Sequence, residues 1–338
     1  MLPSILEFAL LAVGATAIIW KASGLLERAA ERLSVYYGLP AVVQGAVVVA
    51  IGSSFPELSS AVIATWLHGE FDLGVSAIVG SAIFNLLVIP AVSGILGDGV
   101  EADRTLVYKE AQFYMIAVSV LVITFALAVI YNPVEGMRLG GSVTRPLALL
   151  PIAFYGVYVF TQYQDTMDHD AASGPGDVDV LKEWALLGVS LALIAGSVEG
   201  LVVAAKGFGT LFGTPNFVWG LTVIAAGTSL PDALVSVRAA KNGEGVTSLA
   251  NVLGSNVFDL LVAVPAGILV AGTAAVNFAV AVPMMGFLTV ATVVVFAFLR
   301  TELSLSTGES YALLGFYGLF VLWMVLETMD VTALVPGA

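Results

Sequence analysis

The chain has 338 residues, of which 59% are hydrophobic and only 11% are charged, and its mean hydropathy is +0.99. Soluble domains carry about 25% charged residues, so this composition excludes an ordinary soluble fold and predicts a bilayer as the solvent. The net charge of −13 argues against nucleic acid as a partner. The absence of cysteine excludes disulfides, thiolate metal sites and thiol nucleophiles.

Apolar stretches of about 20 residues recur along the whole chain, and each is long enough to span the hydrocarbon layer. The first stretch lacks a basic n-region and an A-x-A cleavage site, so we expect a retained helix rather than a cleaved signal peptide. The expected fold is all-α and integral to the membrane. Its ten spans are predicted, in chain order, at residues 4–26, 39–66, 73–97, 110–131, 145–163, 181–206, 215–240, 246–271, 275–300 and 309–328.

The longest polar segment, HDAASGPGDVD at 169–179, divides the chain into two halves of five spans. We therefore predict an N-terminal five-helix repeat at residues 1–163 and a C-terminal five-helix repeat at 181–338. An acidic loop at 164–180 is predicted to connect them.

Basic residues are distributed unequally between the two sides that ten spans create. The side with both termini holds three of them: Arg138, Arg145 and Lys206. The opposite side holds nine: Lys21, Arg28, Arg32, Arg104, Lys109, Lys182, Arg238, Lys241 and Arg300. The positive-inside rule then predicts a multi-pass protein of the cytoplasmic membrane with both termini extracellular.

The two halves share sequence motifs in the same order. GSSFPE at 52–57 matches GTSLPD at 227–232, and GSAIFN at 80–85 matches GSNVFD at 254–259. Because each half has an odd number of spans, equivalent helices run in opposite directions. Inverted repeats are typical of secondary transporters, whose substrate sites lie near the midplane at the repeat interface. A duplication without a shared site is the alternative, but the polar groups at membrane depth concentrate in the matched segments.

Prolines lie near the middle of the second and seventh spans, at Pro56 and Pro231. A mid-helix proline has no N–H and clashes with the preceding turn, so it frees the carbonyl four residues earlier, at Gly52 or Gly227. Exposed backbone at membrane depth is tolerated only where it lines a cavity or is buried in protein. We therefore expect a helix break at each proline and backbone oxygens available as ligands.

A carboxylate follows each proline, at Glu57 and Asp232, and hydroxyl residues three and four positions earlier share its helical face. These hydroxyl residues are Ser53, Ser54, Thr228 and Ser229. The third and eighth spans add two pairs at a spacing of four residues: Ser81 with Asn85, and Ser255 with Asp259. Taken singly, such serines usually bond their own helix. The ion-site interpretation therefore depends on the duplicated combination of proline, acid and hydroxyl partner.

Three carboxylates, one amide and several hydroxyls and carbonyls are hard oxygen ligands, which suit calcium rather than a transition metal. Three carboxylates in one site repel each other unless cations neutralise them. The site should therefore change sides mainly when loaded, which is the physical basis of an exchanger. His68 and His169 fall in or near loops and are interpreted as solvated. Glu199, within the sixth span, is interpreted either as a gate or relay residue or as facing a water-filled entry path.

At these residues the chain resembles the calcium/cation antiporter superfamily, the sodium/calcium exchangers. GSSFPE with VGSAIFN, and GTSLPD with NVLGSNVFD, are similar to that family's two α-repeats, and their pairing also resembles the potassium-dependent branch. The resemblance covers the layout of the whole chain and is specific in the second, third, seventh and eighth spans. It implies a ten-helix fold whose first and sixth helices slide against a core to alternate access.

By position, the resemblance implies that Glu57 and Asp232 are central calcium and sodium ligands and that Asn85 and Asp259 complete the middle of the site. It also implies two further sets: hydroxyls of Ser54, Ser81, Ser229 and Ser255 at flanking sodium sites, and backbone carbonyls of Ala50, Ser53, Ala225 and Thr228. Two positions depart from the family pattern. Asp232 stands where many prokaryotic members have Glu, and Ser53 replaces the common Thr.

The favoured function is a secondary antiporter that exchanges sodium for calcium by alternating access and uses no cofactor. Alternatives on the same scaffold are calcium/proton exchange, with Asp232 or Asp259 carrying protons, and potassium-dependent sodium/calcium exchange. A passive channel is a further alternative. An intramembrane aspartyl protease is disfavoured because the GxGD match, GPGD at 174–177, lies in the polar connecting loop and not within an apolar span, so we expect no enzyme activity. The expected partners are the lipid bilayer and inorganic cations, and neither nucleic acid nor a protein partner is implied.

Overall fold

A computed structural model of the chain describes residues 2–38, 50–166, 178–329, 331, 332 and 335. Residues 39–49 of the second predicted span lie outside these ranges, as does most of the predicted connecting loop with His169. The division into two five-helix units at that loop stays a prediction.

The first half of the chain contains long helices interrupted by short irregular turns. Its helices are α1 (Leu2–Tyr36), α2 (Ala50–Ser53), α3 (Phe55–Trp66), α4 (Phe71–Leu96), the π-helical turn π1 (Leu106–Glu110), α5 (Ala111–Tyr131) and α6 (Arg145–Thr166). The helix α1 continues ten residues beyond the predicted end of its span. It does so because Leu26, Ala29 and Leu33 extend a buried stripe at helical spacing.

The second half repeats this plan. Its helices are α7 (Val180–Phe212), α8 (Asn216–Trp219), the π-helical turn π2 (Gly220–Ile224), α9 (Ala225–Lys241), α10 (Gly245–Phe258), the π-helical turn π3 (Asp259–Ala263), α11 (Val264–Ala271), α12 (Phe278–Arg300) and α13 (Thr307–Thr328). Because π2 and π3 follow the preceding α-helices without a gap, α8 to α9 and α10 to α11 each form one continuous span.

Nine helical segments in the described part of the chain are long and apolar enough to cross a bilayer. The remaining predicted span is represented by α2 and α3, and its earlier residues lie outside the described ranges. The prediction of an all-α membrane fold is therefore confirmed.

Two short antiparallel ribbons connect the halves at the helix ends. Strand β1 (Val100–Glu101) pairs with β4 (Ser304–Leu305), and β2 (Gly140–Thr144) pairs with β3 (Thr273–Asn277). Each ribbon joins two connections that the ten-span layout places on the same side of the membrane. The predicted start of the ninth span at residue 275 is wrong, because β3 continues to Asn277. The side chain of Asn277 then caps α12 by accepting a hydrogen bond from the Ala279 N–H.

The two prolines behave differently. In the first half the helix breaks at Ser54, between α2 and α3 and two residues before Pro56, as predicted. In the second half α9 continues through Pro231, so the predicted break there is wrong. The irregular backbone of that span is instead the π-helical turn π2, which lies directly before α9.

Helices α1 and α7 form a layer of their own. They pack on each other, and their side chains, among them Ile19, Val198 and Leu201, form a small apolar cluster with residues of α3, α4 and π2. This cluster is separate from the main core. Gly207 of α7 lies so close to the Phe8 ring that a side chain there would collide with it. The main core is built from the remaining long helices.

Close backbone contact brings α4 against π2. A Cβ atom added to Gly80 would collide with the backbone of Leu221, and one added to Gly220 would collide with Ser76 and Leu73. These glycines therefore let the third and seventh spans touch directly. That contact sets the position of the polar residues that follow on both helices.

Candidate ion-binding site

Four buried polar residues from both halves of the chain meet in one place. Glu57 lies on α3, Asp232 on α9 and Asn85 on α4, and Asp259 begins π3. Each of these residues is at most 1% exposed. The three carboxylates are close enough to repel one another electrostatically. Buried like charges are costly unless cations neutralise them, so this cluster is chemically suited to bind cations.

Two hydroxyl pairs connect the repeats. The Oγ atoms of Ser54 and Ser255 are 2.7 Å apart, and those of Ser81 and Ser229 are 2.6 Å apart. Each pair joins a motif residue of one half to the partner-helix residue of the other half. The pairs are related by the same pseudo-symmetry as the repeats, so all four predicted serines come together.

The acids differ in how firmly a serine holds them. Ser255 donates a 2.7 Å hydrogen bond to Asp232, whereas Ser81 is 3.5 Å from the Glu57 carboxylate. Asp232, which has the shorter side chain, therefore has the shorter hydrogen bond. Two chemically similar halves thus build a site with unequal sides.

Several site oxygens accept no hydrogen bond from the part of the chain that the structure describes. They are Glu57 Oε2, Asp232 Oδ1, Asn85 Oδ1, Asp259 Oδ1 and Asp259 Oδ2. A buried oxygen without a partner costs free energy, and a carboxylate oxygen costs the most. Bound cations would satisfy all five, because carboxylate and amide oxygens are the ligands that hard cations prefer.

Asn256 is a supporting residue that the sequence analysis did not single out. It is fully buried, and its Oδ1 accepts a 3.0 Å hydrogen bond from the Asn85 amide. Its own amide donates to the Ala82 carbonyl at 3.2 Å. This contact holds the Asn85 nitrogen, while the Asn85 Oδ1 accepts no hydrogen bond from the described residues. The signal was present in the sequence, because Asn256 stands where the first repeat has Ala82.

The predicted carbonyl ligands lie beside this cluster along the chain, on α2 for Ala50 and Ser53 and on α9 for Ala225 and Thr228. The Thr228 hydroxyl donates to the carbonyl of Ala225 at 3.3 Å, so that oxygen already has one partner. The carbonyl of Gly52 has no helical donor, because residue 56 is a proline without an N–H.

The ligand set is mixed in character. Within the described ranges no group of three or more His, Cys, Asp or Glu side chains is close enough together to hold one metal ion by itself. Serine hydroxyls contact the Glu57 and Asp232 carboxylates, and the Asn85 amide lies beside Asp232. Such a site suits cations that accept many oxygens at flexible geometry.

A further acid, Glu27 on α1, lies next to the site. It contacts Gly52 and interacts electrostatically with Asp232. It lines a cavity of about 220 Å³ between α1 and α9, together with Arg28, Pro231 and Arg238. This cavity starts at the arginine-rich side and reaches the proline of the second motif.

His68 is not solvated, so that interpretation is wrong. Its Nε2 lies 2.9 and 3.0 Å from the two carboxylate oxygens of Glu199, and its side chain is only 17% exposed. Helix α7 and the connection after α3 pack together there, which loop composition alone does not reveal. Glu199 therefore has a defined partner and lies outside the carboxylate cluster.

Comparison with known proteins identifies the family of this chain. The family model described as sodium/calcium exchanger protein matches residues 7–164 and 182–326. The chain belongs to the sodium/calcium exchanger family. It is therefore a multi-pass membrane protein of a family of cation antiporters, as the resemblance implied.

Two relatives are similar to this chain over most of its length, and a third is similar over a short segment. CaxA of Alkalimonas amylolytica, named as an antiporter, is 30% identical over 266 residues, which are 77% of this chain and 79% of CaxA. The inner membrane protein YrbG of Escherichia coli is 28% identical over 262 residues, which are 76% of this chain and 78% of YrbG. Human sodium/potassium/calcium exchanger 5 is 53% identical over only 47 residues, which are 14% of this chain and 9% of that protein.

A solved structure of the sodium–calcium exchanger NCX_Mj has the same fold. It superposes with a TM-score of 0.60 over 94% of this chain and 98% of that chain, at 21% sequence identity. This likeness confirms ten transmembrane helices in two inverted five-helix repeats.

Proposed function

We propose that this exchanger moves calcium across the cytoplasmic membrane in exchange for sodium, by alternating access. The observation that carries the proposal is the buried cluster of Glu57, Asp232 and Asp259, with oxygens that accept no hydrogen bond from the described residues. One divalent ion or several monovalent ions can neutralise such a cluster. Because the same oxygens serve both loads, the ions compete for them.

The competition explains exchange rather than leakage. A cluster of three carboxylates without cations has a high energy in a low-dielectric interior, so the empty protein rarely changes sides. Either load removes that penalty. The separate layer of α1 and α7 is the element that we expect to move against the core.

Within this proposal the ligands have distinct roles. Glu57 and Asp232 bind calcium or sodium centrally, and Asn85 and Asp259 complete the middle of the site. The hydroxyl pairs formed by Ser54, Ser81, Ser229 and Ser255 line flanking sodium sites. The backbone carbonyls of Ala50, Ser53, Ala225 and Thr228 add ligands. The names of NCX_Mj and of the human relative, a sodium–calcium and a sodium/potassium/calcium exchanger, support both ions.

Flux through purified protein in proteoliposomes tests the proposal. Calcium uptake is measured with sodium, potassium and proton gradients imposed one at a time. We expect uptake to follow the outward sodium gradient and to collapse when that gradient is removed. Uptake that follows a pH gradient without sodium would instead show calcium/proton exchange, and a requirement for potassium would place the protein in the potassium-dependent branch. Flux that ignores every counter-ion would show a channel.

A matched pair of variants ties the flux to the site. Glu57→Gln removes a carboxylate of the cluster with little change in shape, so we expect it to abolish calcium uptake. Glu110→Gln is the control, because Glu110 is a partly buried acid that bonds Gln162 and Tyr158 instead. Normal uptake by a folded Glu57→Gln protein would refute the site assignment.

A further inference from the structure

A hydrogen-bonded chain outside the ion cluster connects α7 to the core. It contains His68 and Glu70, in the connection between α3 and α4, and Glu199 and Lys206 on α7. His68 Nε2 bonds the Glu199 carboxylate at 2.9 Å, and Lys206 Nζ lies 3.3 Å from His68 Nδ1. Lys206 Nζ also lies 3.6 Å from Glu70 Oε1, to which Asn216 donates at 3.2 Å.

The partners determine the hydrogen positions on His68. A lysine ammonium can only donate, so Nδ1 accepts the hydrogen bond from Lys206. The ring hydrogen is therefore on Nε2, where it is donated to Glu199. Both ring nitrogens are used, so the imidazole fits between the two α7 side chains in one orientation only.

The side chains of this hydrogen-bonded chain are partly shielded from solvent. The His68 side chain is 17% exposed, and those of Glu199, Lys206 and Glu70 are 39%, 33% and 34% exposed. Isolated surface ion pairs contribute little, but a shielded network of several polar groups contributes more than its separate pairs.

The spacing of Glu199 and Lys206 along α7 makes their hydrogen bonds sensitive to sliding of that helix. Glu199 and Lys206 are seven residues apart, so they project from the same face of α7 two turns apart. A shift of α7 by one helical turn is about 5.4 Å, which no hydrogen bond of this chain would survive. The contacts are therefore compatible with a single position of α7 relative to the core.

We propose that His68 and Lys206 are positioning residues of the transport cycle, which hold α7 against the core in one state and release it when α7 slides. The proposal rests on the antiport function proposed above, because it places these hydrogen bonds between the core and a layer that moves during transport. Loss of one such bond changes the balance between two states about fivefold.

The test is a distance measurement, because the native chain contains no cysteine that would compete for a label. Spin labels are attached to Leu181→Cys at the start of α7 and Val270→Cys near the end of α11. Both positions are exposed, and they lie on opposite membrane sides, so sliding of α7 along its axis changes the distance between the labels. We expect one dominant distance in the labelled parent protein. His68→Leu removes both ring hydrogen bonds, so it should raise the population of a second distance, displaced by about 5 Å, by at least about fivefold, and should change the maximum exchange rate.

Two further variants make the result specific. His68→Gln keeps a donor that can reach Glu199, so we expect it to restore the parent distribution. Arg32→Gln is the matched control, because it removes the 2.8 Å ion pair to Glu183 that joins α1 to α7 within the moving layer. We expect its distances to match the parent, whereas a purely structural role of His68 would lower the melting temperature without moving the labels.

The proposal is overturned if His68→Leu keeps the parent distances and the parent exchange rate, or if Arg32→Gln shifts the distances equally. If His68→Leu does not fold, Lys206→Met decides in the same way, since it removes the bond to Nδ1. The distances are read without any ion gradient. A parent protein that fails to exchange sodium for calcium would therefore refute the proposed function while the positioning role is still tested.

Discussion

At the scale of single residues, the ion cluster is less symmetric than the repeats that build it. Ser255 holds Asp232 at 2.7 Å and Ser54 at 2.7 Å, whereas Ser81 holds Glu57 only at 3.5 Å. A hydrogen bond to a charged group contributes more when it is short and well formed. The second-repeat side of the site should therefore depend more strongly on its serine.

The pair Ser255→Ala and Ser81→Ala tests this asymmetry. We expect Ser255→Ala to weaken calcium binding about tenfold, because it removes a short bond to a carboxylate. Ser81→Ala should have a smaller effect. Isothermal titration of both purified variants measures the difference, and equal losses would show that the unequal distances carry no energetic weight.

Asn256 offers a test of indirect support. Asn256→Ala removes the acceptor that fixes the orientation of the Asn85 amide, so we expect calcium affinity to fall about tenfold, as for other residues that orient a ligand. Ser248→Ala is the control, because Ser248 is buried on the same helix but bonds Ser93 instead. An unchanged affinity in Asn256→Ala would mean that packing alone orients Asn85.

Much of the site could be predicted from residue spacing. Helical periodicity places Ser54 with Glu57 and Ser81 with Asn85 on common faces, and the structure brings all of them together. What spacing could not reveal are contacts between helices, such as the crossed hydroxyl pairs and the bond between Asn85 and Asn256. Those depend on how closely helices approach, which is decided by packing over the whole bundle.

At the scale of helices, Gly80 and Gly220 determine how closely α4 and π2 approach each other. Two equivalent prolines also produced different helices, because the irregular turn of the seventh span lies at π2, directly before α9, rather than at Pro231. A local rule for proline therefore predicted one break of two. Likewise, the pairing of β3 with β2 extends to Asn277, so α12 begins later than the apolar pattern predicts.

Gly80→Ala tests the contact between α4 and π2. The added methyl group would collide with the Leu221 backbone, so we expect a loss of about 1–3 kcal/mol of stability. Gly254→Ala is a matched control from the other repeat, because the nearest atom to its Cβ, the Tyr158 hydroxyl, is 4.0 Å away. Thermal unfolding in detergent micelles compares the two, and identical melting temperatures would argue against the close contact.

At the scale of the whole molecule, the ribbons and polar contacts agree with one arrangement of connections. Each ribbon, β1 with β4 and β2 with β3, joins two connections that the ten-span layout places on the same side of the membrane. The ion pair of Arg32 with Glu183 also joins two helix ends on the same side. These contacts support the alternation of sides but not the direction. The direction follows from the distribution of basic residues, which predicts extracellular termini.

Cysteine labelling tests the direction. Met137→Cys lies before β2 and Glu302→Cys lies before β4, so the two positions are on opposite sides. We expect an impermeant maleimide to label Met137→Cys in intact cells and Glu302→Cys only after permeabilisation. The reverse pattern would place the termini in the cytoplasm.

The central claim is that one buried cluster of oxygens binds calcium and sodium in turn, and a competition titration tests it most directly. Calcium affinity of the purified protein is measured by calorimetry at increasing sodium concentration, with choline replacing sodium to keep ionic strength constant. We predict that the apparent dissociation constant for calcium rises more steeply than in proportion to sodium, because several sodium ions replace one calcium ion. A calcium affinity that is independent of sodium would contradict the account.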